Sequence, residues 1–265
     1  MTIKTVIIGP GKIAGSFGSL KDNQAKPAYT HAHAITSDPR FSLNAVVGVD
    51  TNDTSAFADR WHIPGRYEHL GVMLASEQPD LAVITSPDGT HTQIILALLD
   101  SADAPKVIIC EKPICLSKDN LGMIRRALEN APKTTLLVNQ SYRFSHSFNA
   151  VKDLLQSGQL GAPVMARWIY YGGWVHNGVH FVDILPFVFG EPATLLSSKL
   201  SYRDRENDPC IDATFNICGA PVHLESTPEY AFQLGEGEIR LMRGRIRMAE
   251  FCSDVYIDEP VQNEI

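Results

Sequence analysis

The 265 residues predict an α/β chain in two parts: an N-terminal doubly wound parallel sheet, then a C-terminal α+β domain with a mostly antiparallel open sheet. In the first half, short β-branched runs alternate with longer amphipathic stretches, which is the texture of β-α-β units. From Val164 onward the β-rich runs lengthen and a single apolar helical stretch interrupts them, the pattern of an antiparallel sheet with one covering helix. A glycine pattern, Gly9-Pro10-Gly11-Lys12-Ile13-Ala14, lies between the first apolar run and a helix start, where a dinucleotide-binding loop belongs.

In order, strands are expected at 5–8, 43–49, 81–84, 107–109 and 135–139, and helices with apolar 3.6-residue spacing at 54–61, 92–99 and 118–130. A segment rich in Gly, Lys, Asp and Asn over 18–27 reads as a loop insertion in the first helix, which resumes at 29–34. A helix at 147–157 then leads into Gly158-Gln159-Leu160-Gly161, followed by β-rich runs at 164–171, 195–202, 213–218, 222–226 and 238–257 and a helix at 179–189. Domains 1–145 and 146–265 follow, with no internal repeat.

Composition narrows the partners. With 44% hydrophobic and 20% charged residues the chain has ample material for a core. A net charge of -7 argues against a surface that tracks nucleic-acid phosphates, which needs clustered positive charge. No apolar stretch approaches the roughly 18 residues that span a membrane, and the first residues lack a secretory leader pattern, so a cytoplasmic location is expected. Cys110, Cys115, Cys210, Cys218 and Cys252 form no C-x-x-C pair and have no histidines at ligand spacing. Reduced, mostly buried thiols are expected, with no redox role for the close pair Cys110 and Cys115 and no metal.

Glycines at 9 and 11 let the backbone turn tightly and approach a pyrophosphate, whose charge the free N–H groups around Lys12, Ile13 and Ala14 stabilise. Asp50, at the end of the second strand, can accept hydrogen bonds from both ribose hydroxyls and would repel a 2′-phosphate, which favours NAD over NADP. Its other use is as the N-cap of the next helix. The turn Thr85-Ser86-Pro87-Asp88-Gly89-Thr90-His91 follows the strand at 81–84. Ser86 and Pro87 are candidates to line the cofactor crevice; His91 either faces the ligand or sits in the first turn of a helix. Glu111-Lys112-Pro113 comes straight off the run 106–110, so an ammonium stands at the carboxyl end of a buried strand, where α/β sheets bind ligands. Lys112 is thus a candidate proton donor or charge clamp.

In the second half, Trp174-Val175-His176-Asn177-Gly178-Val179-His180-Phe181-Val182-Asp183 gathers polar chemistry ahead of an apolar helix. His180 and Asp183 are three apart on one helical face, so the carboxylate is expected to orient the imidazole and hold its tautomer. His176 and Asn177 precede that helix on its entering loop. The alternation Arg240, Arg243, Arg245, Arg247 suits either phosphate binding or the solvated or subunit-facing side of a strand.

On these residues, together with Asn139, Tyr142-Arg143-Phe144 and Gly158-Gln159-Leu160-Gly161, the chain resembles the glucose-fructose oxidoreductase / inositol dehydrogenase / rhizopine-catabolism family, written Gfo/Idh/MocA. The resemblance implies an N-terminal Rossmann domain and a C-terminal open sheet that pairs subunits into a homodimer or tetramer. It also implies hydride transfer between nicotinamide and a hydroxyl carbon of a sugar, cyclitol or sugar nucleotide. Lys112 would polarise the hydroxyl and His180, oriented by Asp183, would be the acid/base. Glu111 would stand with Lys112 on the cofactor side, and Tyr142, Arg143, His176 and Asn177 would position the sugar.

Many members carry aspartate four residues before the helix histidine, where this chain has His176. The His-Asn-Gly-x-His-x-x-Asp arrangement resembles a branch in polysaccharide and nonulosonate biosynthesis, which turns the expected substrate towards an amino sugar or its nucleotide. His176 either replaces the carboxylate in a proton relay or binds substrate. A catalytically idle dinucleotide-binding sensor is the alternative function, since fold alone does not determine activity.

Overall fold

The structure is a computed structural model that describes residues 2–16, 29–205, 207–233 and 235–260. It divides into two compact units, Met1–Asn139 and Gln140–Ile265.

The first unit is a six-stranded parallel sheet in the order β3-β2-β1-β4-β5-β6. Its strands are β1 (Ile3–Ile8), β2 (Phe41–Val47), β3 (Gly65–Tyr67), β4 (Leu81–Ile84), β5 (Val107–Cys110) and β6 (Thr135–Val138). Helices α1 (His31–Ser37), α2 (Thr51–Trp61), α3 (Leu70–Glu77), α4 (His91–Leu99) and α5 (Lys118–Asn130) connect them. Side chains alternate across each strand, so Val6 and Ile8 pack with Met73, Leu74, Ile95, Leu98 and Ile124 on one face. Ile7, Val46 and Val83 pack with Ala32, Ile35, Phe57 and Ala58 on the other. Burial on both faces explains why these strands read as continuous apolar runs. Chain order reverses between β1 and β4, and in such sheets the crevice outside the carboxyl ends at that reversal is where ligands bind.

Several helix starts are fixed by side-chain caps. Thr30 accepts from His33 N at 3.4 Å, Asp50 Oδ1 from Asp53 N at 2.9 Å, and Ser117 Oγ from Asn120 N at 3.1 Å. The strand expected at 43–49 starts earlier and stops at Val47, leaving Val49 fully exposed. Two elements, β3 and α3, arise where none was expected: β3 has three residues, and α3 has no side-chain cap bond. The expected loop insertion over 18–27 lies outside the described residues.

In the second unit, α6 (His146–Ser157) and α7 (Val179–Phe189) pack on a seven-stranded sheet in the order β13-β12-β11-β7-β10-β9-β8. Its strands are β7 (Pro163–Tyr171), β8 (Thr194–Arg203), β9 (Pro209–Ile217), β10 (Ala220–Thr227), β11 (Glu236–Leu241), β12 (Gly244–Ala249) and β13 (Asp254–Asp258). The run expected at 238–257 therefore folds as three strands. Pairing is antiparallel except between β7 and β10, which run parallel at the middle of the sheet. The core joins Phe148 and Val151 of α6 and Phe181, Ile184 and Val188 of α7 to Trp168, Leu224, Ile239 and Ile246 of the sheet. Trp168 is fully buried against Gly237, whose missing side chain makes room for the indole.

The arginine alternation is neutralised on this sheet. Arg240 pairs with Glu238 at 2.7 Å, Arg245 and Arg247 share Asp258 at 2.7 and 3.2 Å, and Arg243 donates to the carbonyls of Gly158 and Gln159. The fork of each guanidinium is thus engaged by carboxylate or carbonyl oxygen, as expected of a strand surface and not of a phosphate clamp.

Candidate functional site

The glycine loop leaves β1 with Gly9 at φ +100°, a conformation side chains rarely adopt. A Cβ there would stand 2.6 Å from the backbone N and Cα of Ser86, so the loop after β1 and the loop after β4 touch at this point. Thr85, buried, ties them together by donating to the carbonyls of Ile8 (3.2 Å) and Gly9 (2.7 Å). At Gly11 an added Cβ would meet no atom closer than 3.7 Å, which leaves the backbone open to a group lying over it. Lys12, Ile13 and the buried Ala14 form a single irregular turn, Lys12–Ser16. Trp61 packs behind it and donates to Gly15 O at 3.2 Å. A glycine-lined backbone at the sheet's reversal point fits a dinucleotide pyrophosphate.

Asp50 is the N-cap of α2 through Oδ1, the role named above as its other use. Capping engages one carboxylate oxygen and leaves a second able to accept. Next to it Thr51 Oγ1 donates to Glu68 Oε1 at 2.6 Å, so two carboxylates stand at the end of β2.

His91 is fully buried, with Nδ1 2.8 Å from Pro113 O and Nε2 2.8 Å from Ser86 O. Both ring nitrogens therefore face backbone carbonyls, and the residue fastens the Ser86-Pro87 turn to the Lys112-Pro113 turn. It does not have the exposure needed to face a ligand. The Lys112-Pro113 peptide is cis.

Glu111 is buried, and its oxygens are filled: Oε1 accepts from His31 Nε2 and Asn139 Nδ2, each at 2.7 Å, and Oε2 accepts from Lys112 N at 3.3 Å. Burial pushes its carboxyl up, but the hydrogen bonds from His31 and Asn139, the charge of His31 and the Lys112 N–H outweigh it, so the net shift is downward. The carboxylate thus holds the Lys112 backbone in place. Nothing local in the sequence marks His31 for this contact beyond its place directly after a capping threonine.

Cys110 and Cys252 are buried, and burial pushes both thiols up to about 12, so neither is a nucleophile near neutrality. Cys210 is also buried, whereas Cys218 is exposed, against the general expectation of buried thiols. Among the described residues, no cluster of three or more His, Cys, Asp or Glu side chains has metal-binding geometry, and no helix is long and apolar enough to cross a membrane.

In the second unit Tyr142 is a shelf. Its ring stacks between Phe148 (centroids 5.2 Å) and His180 (4.7 Å, 23° between planes), and Phe181 meets it edge-on. Burial pushes its hydroxyl up to about 12. Asp183, expected to orient His180, gives Oδ1 and Oδ2 to Arg143 NH2 and Nε at 2.6 and 2.7 Å. A guanidinium offers a carboxylate two parallel charged donors where an imidazole offers one, so it takes the bidentate position. The hydrogen bond raises the arginine further. The His180 ring lies stacked on Tyr142.

His176 and Asn177 lie in a wide turn, Trp174–Gly178, that precedes α7. Asn177 donates Nδ2–H to Tyr171 O at 2.8 Å and so fixes the end of β7. Asp208, just before β9, reaches under this turn: Oδ1 accepts from Val175 N and Oδ2 from His176 N, each at 3.0 Å, and His176 Nδ1 lies 3.1 Å from Oδ2. The carboxyl occupies the space a side chain at Gly173 would need. Nothing local marks Asp208 in sequence except an aspartate before Pro209 at a strand start, 32 positions from His176.

A parallel sheet carrying this loop at its reversal point has the architecture of a dinucleotide-binding Rossmann domain. The sequence profile described as oxidoreductase family, NAD-binding Rossmann fold, matches residues 3–142, and the chain belongs to this Gfo/Idh/MocA family. It is 31% identical over 132 residues to an inositol 2-dehydrogenase of Rhodococcus erythropolis, a match covering 46% of this chain and 37% of that protein. It is 27% identical over 186 residues to a D-apiose dehydrogenase of Rhizobium rhizogenes, covering 63% and 52%. The matches thus span about half or less of these relatives. The fold is that of the WlbA dehydrogenase of Bordetella pertussis, solved with NADH and UDP-GlcNAcA: TM-score 0.81 at 17% identity, over 99% of this chain and 84% of that one. KijD10, a 3-ketoreductase of Actinomadura kijaniata solved with NADP, also has TM-score 0.81, at 15% identity over 99% and 82%.

Proposed function

We propose that the protein is an NAD-dependent dehydrogenase acting on a hydroxyl-bearing carbon of a sugar, amino sugar, cyclitol or sugar nucleotide. The observation that carries this reading is the Glu111 network, which anchors Lys112 at the carboxyl edge of a dinucleotide-type sheet. Bound nicotinamide supplies the two-electron exchange with the C–H bond. The chain's own residues must then handle charge and a proton. Gly9, Gly11, Lys12, Ile13 and Ala14 admit the pyrophosphate to the backbone, and Ser86 and Pro87 form the neighbouring wall. Lys112 stabilises the negative charge that develops on the substrate oxygen, a job for a positioned cation. His180, held flat by Tyr142, takes the hydroxyl proton. Arg143, Asn177 and His176 bind the remaining hydroxyls.

NAD is favoured over NADP because Asp50 and Glu68 both present carboxylates at the end of β2, where a 2′-phosphate would meet like charge. Exposed Leu195, Leu196 and Leu200 on β8 support pairing of copies through the second sheet.

The test is a panel of cyclitols, aldoses, amino sugars and UDP-sugars assayed for NAD reduction by near-ultraviolet absorbance. Turnover on at least one supports the reading. NAD binding with no turnover on any would support the sensor in its place.

A further inference from the structure

The turn that carries Lys112 is held from two sides. On one, His91 Nδ1 lies 2.8 Å from Pro113 O. On the other, Glu111 Oε2 accepts the Lys112 N–H at 3.3 Å, while His31 Nε2 and Asn139 Nδ2 converge on Oε1, each at 2.7 Å. The two side-chain donors come from the first residue of α1 and the residue after β6. Side-chain exposure is 15% for His31 and 11% for Glu111. A carboxylate so far removed from water is stable only with its oxygens filled, and when ionised it accepts hydrogen bonds without donating any. His31 Nε2 therefore carries a proton.

The same helix is braced against the glycine loop. Gly15, in the turn Lys12–Ser16, stands so close to α1 that an added Cβ would come 3.0 Å from the Cβ of Ala32, the buried neighbour of His31. One helix thus touches the turn that follows the loop glycines and, through one imidazole, the carboxylate that holds Lys112.

We propose that His31 is a positioning residue for Lys112: by filling Glu111 Oε1 it fixes the carboxylate whose Oε2 holds the Lys112 main chain, and it ties that main chain to the helix packed on the glycine loop. The lysine backbone and the loop are thereby held in one frame. What Lys112 acts on rests on the dehydrogenase reading, whereas the anchoring rests on geometry alone. Misplacing a charge-stabilising group by about 1 Å costs on the order of 100-fold in rate, so a side chain that never touches substrate can govern turnover.

Two variants separate the donor from the ring. In His31→Gln the amide nitrogen can stand where Nε2 stands and donate to Oε1; in His31→Leu nothing donates. The first readout needs no substrate: amide hydrogen exchange at Lys112 in the full chain, with the β1 amides as a reference for global opening. Exchange at Lys112 should quicken about tenfold in His31→Leu, the scale of one lost hydrogen bond, and return towards wild type in His31→Gln. An unchanged rate in His31→Leu, the same rise in both variants, or an equal rise at β1 overturns the proposal. Should the variants fail to fold, a long-range ¹H–¹⁵N spectrum of the wild type decides. A His31 Nε2 proton protected from exchange with water is expected, and a bare Nε2 or a freely exchanging proton overturns the proposal.

The second readout is turnover on whichever polyol the panel identifies. His31→Leu should lower kcat on the order of 100-fold while KM for NAD stays within about twofold, and His31→Gln should recover most of the loss. Unaltered kcat in His31→Leu, or a loss confined to KM for NAD, overturns the catalytic part. If no polyol is turned over, the dehydrogenase reading falls and takes the effect on turnover with it, while exchange at Lys112 still judges the anchor.

Discussion

His31 donates Nε2–H to Glu111 Oε1 across 2.7 Å, linking the start of α1 to the end of β5 over 80 positions of sequence. With Asn139 on the same oxygen, the contact makes Glu111 an anchor whose strength depends on its charge.

The anchor should weaken in acid. Glu111 titrates below the usual glutamate value of 4.5, so the stability it contributes is complete above pH 4.5 and is lost as pH falls through its own lower value. Glu111→Gln removes the charge-assisted bonds and should cost about 1–3 kcal/mol at neutral pH. Its stability should also fall less between pH 4.5 and 3 than that of the wild type. Urea denaturation at a series of pH values checks both.

Gly9→Ala should separate loop geometry from catalysis. Positive φ and a Cβ against the Ser86 backbone force the two loops apart, at about 1–3 kcal/mol. NAD affinity, measured by calorimetry, should fall, with the second unit's fold unaffected by circular dichroism.

Lys112→Met keeps the volume of the side chain and removes its charge. Turnover should be abolished while NAD affinity stays near that of the wild type. Normal turnover in this variant would sink the proposed role of the ammonium.

Asp50→Ser combined with Glu68→Gln removes both carboxylates from the end of β2. The ratio of kcat/KM for NADP to that for NAD should rise by at least about tenfold, the scale of one close like-charge contact. Because Asp50 also caps α2, serine is chosen to preserve the cap.

Much of this was legible because it is local. The glycine loop is a contiguous pattern with a fixed place between strand and helix, and Lys118–Asn130 and Val179–Phe189 begin and end where apolar periodicity and flanking residues indicate. What escaped depends on distance or brevity. Asp208 meets His176 from 32 positions away and His31 meets Glu111 from 80, separations over which no spacing rule operates. The three residues of β3 are too few to show alternation. At Asp183 the limit is different: helical spacing makes His180 its neighbour, but spacing is silent on Arg143, a donor 40 positions earlier that binds both carboxylate oxygens.

The hydrogen bond from Trp61 to Gly15 puts an indole directly behind the glycine loop. Indole emission responds to nearby charge and to changes in its hydrogen bonding, so the protein carries its own optical reporter at the point where a pyrophosphate would settle. The chain has three tryptophans, and Trp168 and Trp174 belong to the other unit. The difference between wild-type and Trp61→Phe emission therefore isolates the loop. Occupancy can be followed by titration without knowing the substrate, and before any turnover has been found.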